Sequence, residues 1–237
     1  MLMKSPAPAG QTLDVPLGRI ITGLFVIFGT LAFLSLAQNV AAYGFHLINP
    51  AHKIWFLDVD EERSLYTWAS SMLMGAIGLV NLFVAAEKAD ESRTAVLQWL
   101  ILSLAFFAIS CDEMLALHEK IGNLFPAEML TGVLRFAWVL PGGILCLIGL
   151  VLYIPFIRGF PGRARVYLIA SAVVFLSGAI GLEMVGGMIE EANGVHNLTY
   201  RLASTVEETM EGFGLILYLH AVLLYRRQYT DRLSIRY

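Results

Sequence analysis

Six long apolar stretches, residues 17–39, 65–86, 95–117, 130–156, 164–189 and 203–225, take up more than half of this 237-residue chain. A bilayer core is crossed by about 20 mostly apolar residues in a helix, so each stretch is long enough to span. In lipid every backbone polar group must be satisfied internally, which leaves helices and closed barrels as the only spanning structures. No stretch shows the alternating ten-residue pattern of a barrel strand. The expected fold is therefore all-α, a polytopic membrane helical bundle of about six transmembrane helices. Composition agrees, with 57% hydrophobic residues, 15% charged residues and a mean hydropathy of +0.69, against roughly a quarter charged in an ordinary soluble domain.

The expected organisation is a single domain. Residues 1–16 read as a cytoplasmic N-terminal tail, with a Pro/Ala-rich, disordered start over residues 5–10. Residues 17–226 form the six-helix transmembrane domain and residues 227–237 a short basic cytoplasmic tail. The first stretch follows Lys4 and Arg19 as a signal peptide would, but it is too long and lacks a clear small-x-small cleavage site, so it reads as a retained anchor. Positive residues near span ends favour the cytoplasm. Lys4, Arg19, Lys88, Arg93, Arg158, Arg163, Arg165, Arg226, Arg227, Arg232 and Arg236 fall on one side, while Lys53, Arg63, Lys120, Arg135 and Arg201 fall on the other. That skew places both termini in the cytoplasm and the chain in the cell inner membrane. A net charge of -3 without a long basic run excludes nucleic acid as a natural partner. Cys111 and Cys146 lie inside apolar stretches, so no disulfide framework is expected.

The acids are distributed even less evenly than the bases. Only Asp14, Glu87, Asp90, Glu91 and Asp231 belong to the inner side; the remaining fourteen are outer. Helical spacing places Asp112, Leu115, Ala116 and Glu119 on one face of the third span, and Glu183, Gly186, Gly187 and Glu190 on one face of the fifth. The sixth span adds Glu207, Glu208 and Glu211 beside Gly212 and Gly214. Acids at membrane depth are costly, face the bundle interior and mark functional sites. Several carboxylates converging there must be protonated or held by a cation. The Asp58, Asp60, Glu61, Glu62 run lacks the glycine and final glutamate of an EF-hand and reads as a solvated acidic loop. Pro141, Gly142 and Gly143 in the fourth stretch, and Gly186 and Gly187 in the fifth, read as helix interruptions.

The expected site is a carboxylate/histidine metal centre on the outer side of spans three, five and six, with Asp112, His118, Glu119, Glu183, Glu190, Glu208 and Glu211 as ligands. Hard oxygens with an imidazole suit a divalent or transition metal ion: iron, zinc or manganese. Bound there, the metal would activate water or oxygen for a hydrolase or an oxidoreductase. The paired Glu-x-x-His of soluble di-iron bundles and the His-Glu-x-x-His of zinc proteases are both absent from the sequence. Expected partners are membrane lipids, a small-molecule or lipid substrate arriving from the outer face, and further copies of the chain or a larger membrane complex. The alternatives are a cation- or proton-coupled transporter using Glu183 and Glu211, and an accessory subunit of such a complex.

Overall fold

A computed structural model describes residues 17–229, and every regular element among them is helical. The tails on either side, with Lys4, Asp14, Asp231, Arg232 and Arg236, lie outside the described residues. Helix α1 (Leu17–Asn39) runs into a π turn (Val40–Gly44), and α2 (Leu65–Glu87) and α3 (Arg93–Leu115) form an antiparallel hairpin. Ser64 and Ser92 start α2 and α3 by accepting the backbone N–H groups of Thr67 and Ala95, which answers two of the donors a helix start leaves unpaired. After the short α4 (Leu117–Lys120) come α5 (Val139–Leu152), α6 (Ile154–Gly159) and α7 (Gly162–Leu176). A π segment (Ser177–Leu182) joins α7 to α8 (Glu183–Asn193), and α9 (Leu198–Tyr229) closes the fold.

Four helical segments, Leu17–Gly44, Leu65–Glu87, Arg93–Leu115 and Gly162–Asn193, are long and apolar enough to cross a membrane. Large apolar side chains such as Val26, Phe33, Phe83, Leu104 and Leu145 point outward from the bundle. Helix α9 is central, packing against α1, α2, α7, the π segment and α8. Its last turns are apolar and buried through Leu215, Ile216, Leu219, Val222 and Tyr225. Around them Trp99, Phe156, Phe160 and Tyr225 form an aromatic knot, with Trp99 and Phe156 edge to face at 4.9 Å and Phe160 stacked on Tyr225 at 4.6 Å. This knot ties the start of α3, α6 and the end of α9 into one end of the bundle. The acids gather at the other.

Three sequence expectations are corrected here. The stretch 130–156 is not one helix: Ala127–Met129 and Gly132–Leu134 are separate 3-10 turns, and α5 begins only at Val139. Gly132 sits at φ +56° and gives its N–H to Glu191, while Arg135 pairs with Glu190, so polar contacts to α8 hold this segment out of a helix. Pro141 does not break α5, because it lies in the first helical turn, where its missing N–H has no partner to lose. Gly186 and Gly187 do not interrupt their helix either. Both are buried in α8, and a side chain at 187 would meet Arg135 Cβ at 2.8 Å and Gly132 O at 3.1 Å.

Close approach also governs α9. A Cβ on Gly214 would lie 2.7 Å from Phe175 Cβ and 2.8 Å from its backbone nitrogen, whereas one on Gly149 meets nothing within 4 Å. Gly214→Ala is expected to destabilise the protein by about 1–3 kcal/mol through overpacking. Gly149→Ala is expected to be neutral or mildly stabilising. Thermal unfolding of the two detergent-solubilised variants checks the contrast.

Candidate functional site

The acidic end contains two groups of carboxylates of opposite character. In the first, Asp58 is fully buried and pairs with Lys53, accepts from Ser35 Oγ at 3.2 Å and from Asn39 Nδ2 at 3.1 Å, and lies 3.8 Å from Arg201. Asp60 pairs with Arg201 and accepts from Ser204. Burial works against the charge of Asp58, but the hydrogen bonds from Lys53 and Asn39 and the charges of Lys53 and Arg201 outweigh it, holding the carboxyl below its usual range. For Asp60 burial wins over Arg201 and Ser204, and its carboxyl is pushed up. The acidic run is therefore not the solvated loop the sequence suggests. Lys53 from the same connection and Arg201 from the start of α9 fold onto it, and Arg201 clamps the α1–α2 connection to α9.

The second group is built on α9, α8 and α3. Glu207 and Glu211 are one turn apart on α9 and share a face, with Glu208 beside them. Glu207 interacts with Glu183 of α8 through charge and a hydrogen bond; Glu211 feels the charges of Glu183 and of Glu113 of α3, and Glu208 those of Glu211, Glu113 and Glu207. Neutral donors steer the rim: Trp138 Nε1 donates to Glu183 at 2.7 Å and Ser70 Oγ to Glu113 at 2.8 Å. Tyr66 Oη fixes the α9 backbone by donating to the Glu208 carbonyl at 2.6 Å. The π segment comes very close, since a Cβ on Gly178 would lie 2.9 Å from Glu207 O and 3.1 Å from Glu211 Cγ. Such π insertions concentrate at functional positions. Among the described residues no lysine or arginine forms an ion pair with Glu113, Glu183, Glu207, Glu208 or Glu211.

The structure places the seven expected ligands in three locations. Glu183, Glu208 and Glu211 share the carboxylate group just described, whereas Glu190 is engaged by Arg135 Nη2 at 2.9 Å. Asp112 and Glu119 are not on one continuous helical face, because the helix ends at Leu115 and Ala116 turns left-handed at φ +46°. The break folds His118 back onto Asp112. One carboxylate oxygen accepts the His118 backbone N–H at 2.9 Å, and the other lies 2.8 Å from Nδ1. With Nδ1 directed at a carboxylate, Nε2 is the nitrogen that can accept a proton or a cation. The His118 ring meets the Trp138 ring edge to face at 5.3 Å, so the Asp112–His118 pair borders the carboxylate group through Trp138 and Glu183.

Glu113 and Glu207 complete the group although neither was among the expected ligands. Glu113 shares one face of α3 with Ser103 and Ser110, a polar stripe at helical spacing that is readable in the sequence. Among the described residues no three or more His, Cys, Asp or Glu side chains stand together as they would around a metal ion. His196 is exposed, and His220 stacks on Tyr167 at 4.5 Å near the opposite end of α9.

The fold is thus an all-helical bundle with membrane-length helices, in which a group of glutamates from three helices has no lysine or arginine partner among the described residues. The chain belongs to the family described as Domain of unknown function (DUF8692), whose model matches residues 16–225. No curated protein and no solved structure matches it.

Glu62 stands at the edge of this region. Partial burial, the Glu119 and Glu113 carboxylates and a hydrogen bond with Glu119 push its carboxyl up from 4.5 to about 7, with His118 opposing them. The folded chain then binds more protons than the unfolded one between these values, so this residue's contribution to stability falls as pH rises from 4.5 to about 7. Glu62→Gln is expected to flatten that part of the pH–stability profile and to raise the melting temperature above pH 7. Melting curves of wild type and variant at pH 5 and pH 8 check it.

Proposed function

We propose that this chain is a polytopic protein of the cell inner membrane, crossing six times with both termini cytoplasmic, and that Glu113, Glu183, Glu207, Glu208 and Glu211 hold a divalent or transition metal ion on its outer side. Helices α5 and α6 together supply the fourth crossing, and α9 the sixth. The observation that supports the cation reading is that, among the described residues, no lysine or arginine pairs with these five interacting carboxylates, while Lys53, Arg201 and Arg135 are each committed to acids elsewhere. Like charges so placed need a cation or protons between them. Glutamates projecting inward from facing helices hold the metals of carboxylate-bridged helical bundles. His118, oriented by Asp112, stands beside them as a nitrogen donor or as an acid–base group. Iron, manganese or zinc fits that donor set. The metal would activate water or oxygen toward a substrate reaching the site from the outer face.

A specific feature favours a second reading. The Glu183 and Glu207 carboxyls lie within hydrogen-bonding reach of each other, as a pair sharing a proton does, and this suits a proton- or cation-coupled transporter.

Elemental analysis of the detergent-purified protein separates the two. The metal reading expects about one or two iron, manganese or zinc ions per chain, lost on Glu183→Gln and on Glu211→Gln while helicity is retained. A metal-free wild type after growth and reconstitution with each of these metals overturns it, and proton flux into liposomes then tests the transporter.

A further inference from the structure

The first part of the connection between α1 and α2, residues 45–58, arranges its side chains in the reverse of a water-exposed loop. Its charged residues Lys53 and Asp58 turn inward and pair, while Phe45, Leu47, Ile48, Ile54, Trp55 and Phe56 are exposed, Leu47 at 75% and Phe45 at 70%. Trp55 and Phe56 contact each other edge to face at 5.7 Å rather than folding into the bundle. Short segments that present an apolar face beside charged groups lie in the membrane interface, with that face in the acyl boundary. Trp is favoured at the headgroup level because one edge of its ring is polar.

Next to this surface is a cavity of about 390 Å³ lined by Trp55, Asp60, Glu61, Glu62 and Arg63. Asp60 is engaged by Arg201 and Ser204, and Glu62 faces Glu119. Among the described residues the side chains of Glu61 and Arg63 form no ion pair with any neighbour, although both are exposed at the cavity with Trp55. An unpaired guanidinium, an unpaired carboxylate and an open aromatic face within one cavity complement a ligand carrying both an anion and a cation.

We propose that this cavity holds the headgroup of a zwitterionic phospholipid of the outer leaflet. The Arg63 guanidinium takes the phosphate, for which its planar fork of donors is suited. The ammonium rests against the Trp55 ring and the Glu61 carboxylate. The acyl chains then lie along the apolar surface of Phe45, Leu47 and Ile54. This inference rests on the membrane placement proposed above and is independent of the metal.

Native mass spectrometry of the full chain, released from nanodiscs containing equal amounts of phosphatidylethanolamine, phosphatidylcholine and phosphatidylglycerol, tests it. Wild type is expected to retain the two zwitterionic lipids over phosphatidylglycerol by about threefold, the scale of one exposed cation–π contact with an ion pair. Glu61→Gln should bring the ratio to parity, whereas Arg63→Gln should lower the retention of all three lipids, which share the phosphate it takes. Arg93→Gln, an exposed substitution at the start of α3 at the far end of the bundle, should leave it unchanged. Equal retention of all three lipids by wild type overturns the proposal, as does preference for phosphatidylglycerol, an unaltered ratio in Glu61→Gln or undiminished retention in Arg63→Gln. Release of the wild-type chain from membranes by alkaline carbonate would instead mark a failure of the membrane placement itself.

Discussion

The fold depends on sheltering α9. This 32-residue helix carries Glu207, Glu208 and Glu211 in one half and a largely apolar run from Phe213 to Leu224 in the other, interrupted by Gly214, Tyr218 and His220. Burying such acids without partners costs several kcal/mol each, so they are tolerable only where other helices supply the surroundings. Helices α1, α2, α7 and α8 do so. Small residues make the enclosure close: Gly178 lets the π segment approach Glu207 and Glu211, and Gly214 lets α9 lie against the backbone of Phe175. Tyr66 both packs on Phe28, at a ring separation of 5.1 Å, and donates to the Glu208 carbonyl, coupling the α1–α2 packing to the backbone beneath the glutamates.

Periodicity and run length made the helices legible in the sequence. The starts of α1 and α2 fall where the apolar runs begin, and α2 begins directly after the Ser64 cap. Legibility failed where a tertiary contact outweighed local pattern. Residues 130–138 are apolar enough to extend a helix, but Arg135 and the N–H of Gly132 are recruited by Glu190 and Glu191. Ala116 is a good helix former, yet it adopts a left-handed conformation as His118 returns to Asp112, trading about 1–2 kcal/mol of backbone preference against a charge-assisted contact. That break takes Asp112 and Glu119 off a common helical face.

The candidate site was legible in part for the same reason. Glu183, Glu208 and Glu211 stand out because acids deep in apolar stretches have few bland explanations. Glu113 was hidden by its neighbour, since following the face of Asp112 leads about 100° away from it. Its signal lay in the serines at 103 and 110, where Ser103 donates to Gly78 O and Ser110 to Ser71 O, both at 2.8 Å along the α2–α3 seam. The acidic run at 58–62 was misread because its partners are remote. Lys53 is near in sequence, but Arg201 is 141 residues from Asp60, and nothing local announces that pairing.

The two groups of acids serve as controls for each other. Asp58 and Asp60 lie at the same end of the same bundle as the glutamates, and for them the fold provides Lys53, Arg201, Ser35, Asn39 and Ser204, a largely satisfied network. The chain can therefore bring cations to buried acids where the purpose is to hold helices and loops together. Around Glu113, Glu183, Glu207, Glu208 and Glu211 it brings tryptophan and serine donors instead, Trp138 to Glu183 and Ser70 to Glu113. Neutral donors orient carboxylates without cancelling their charge. A purely structural role would favour the first arrangement, since unpaired buried charge is destabilising and a fixed base relieves it. The second suits a group whose balancing charge comes from outside the chain and can leave again, and both a metal ion and a translocated proton meet that condition.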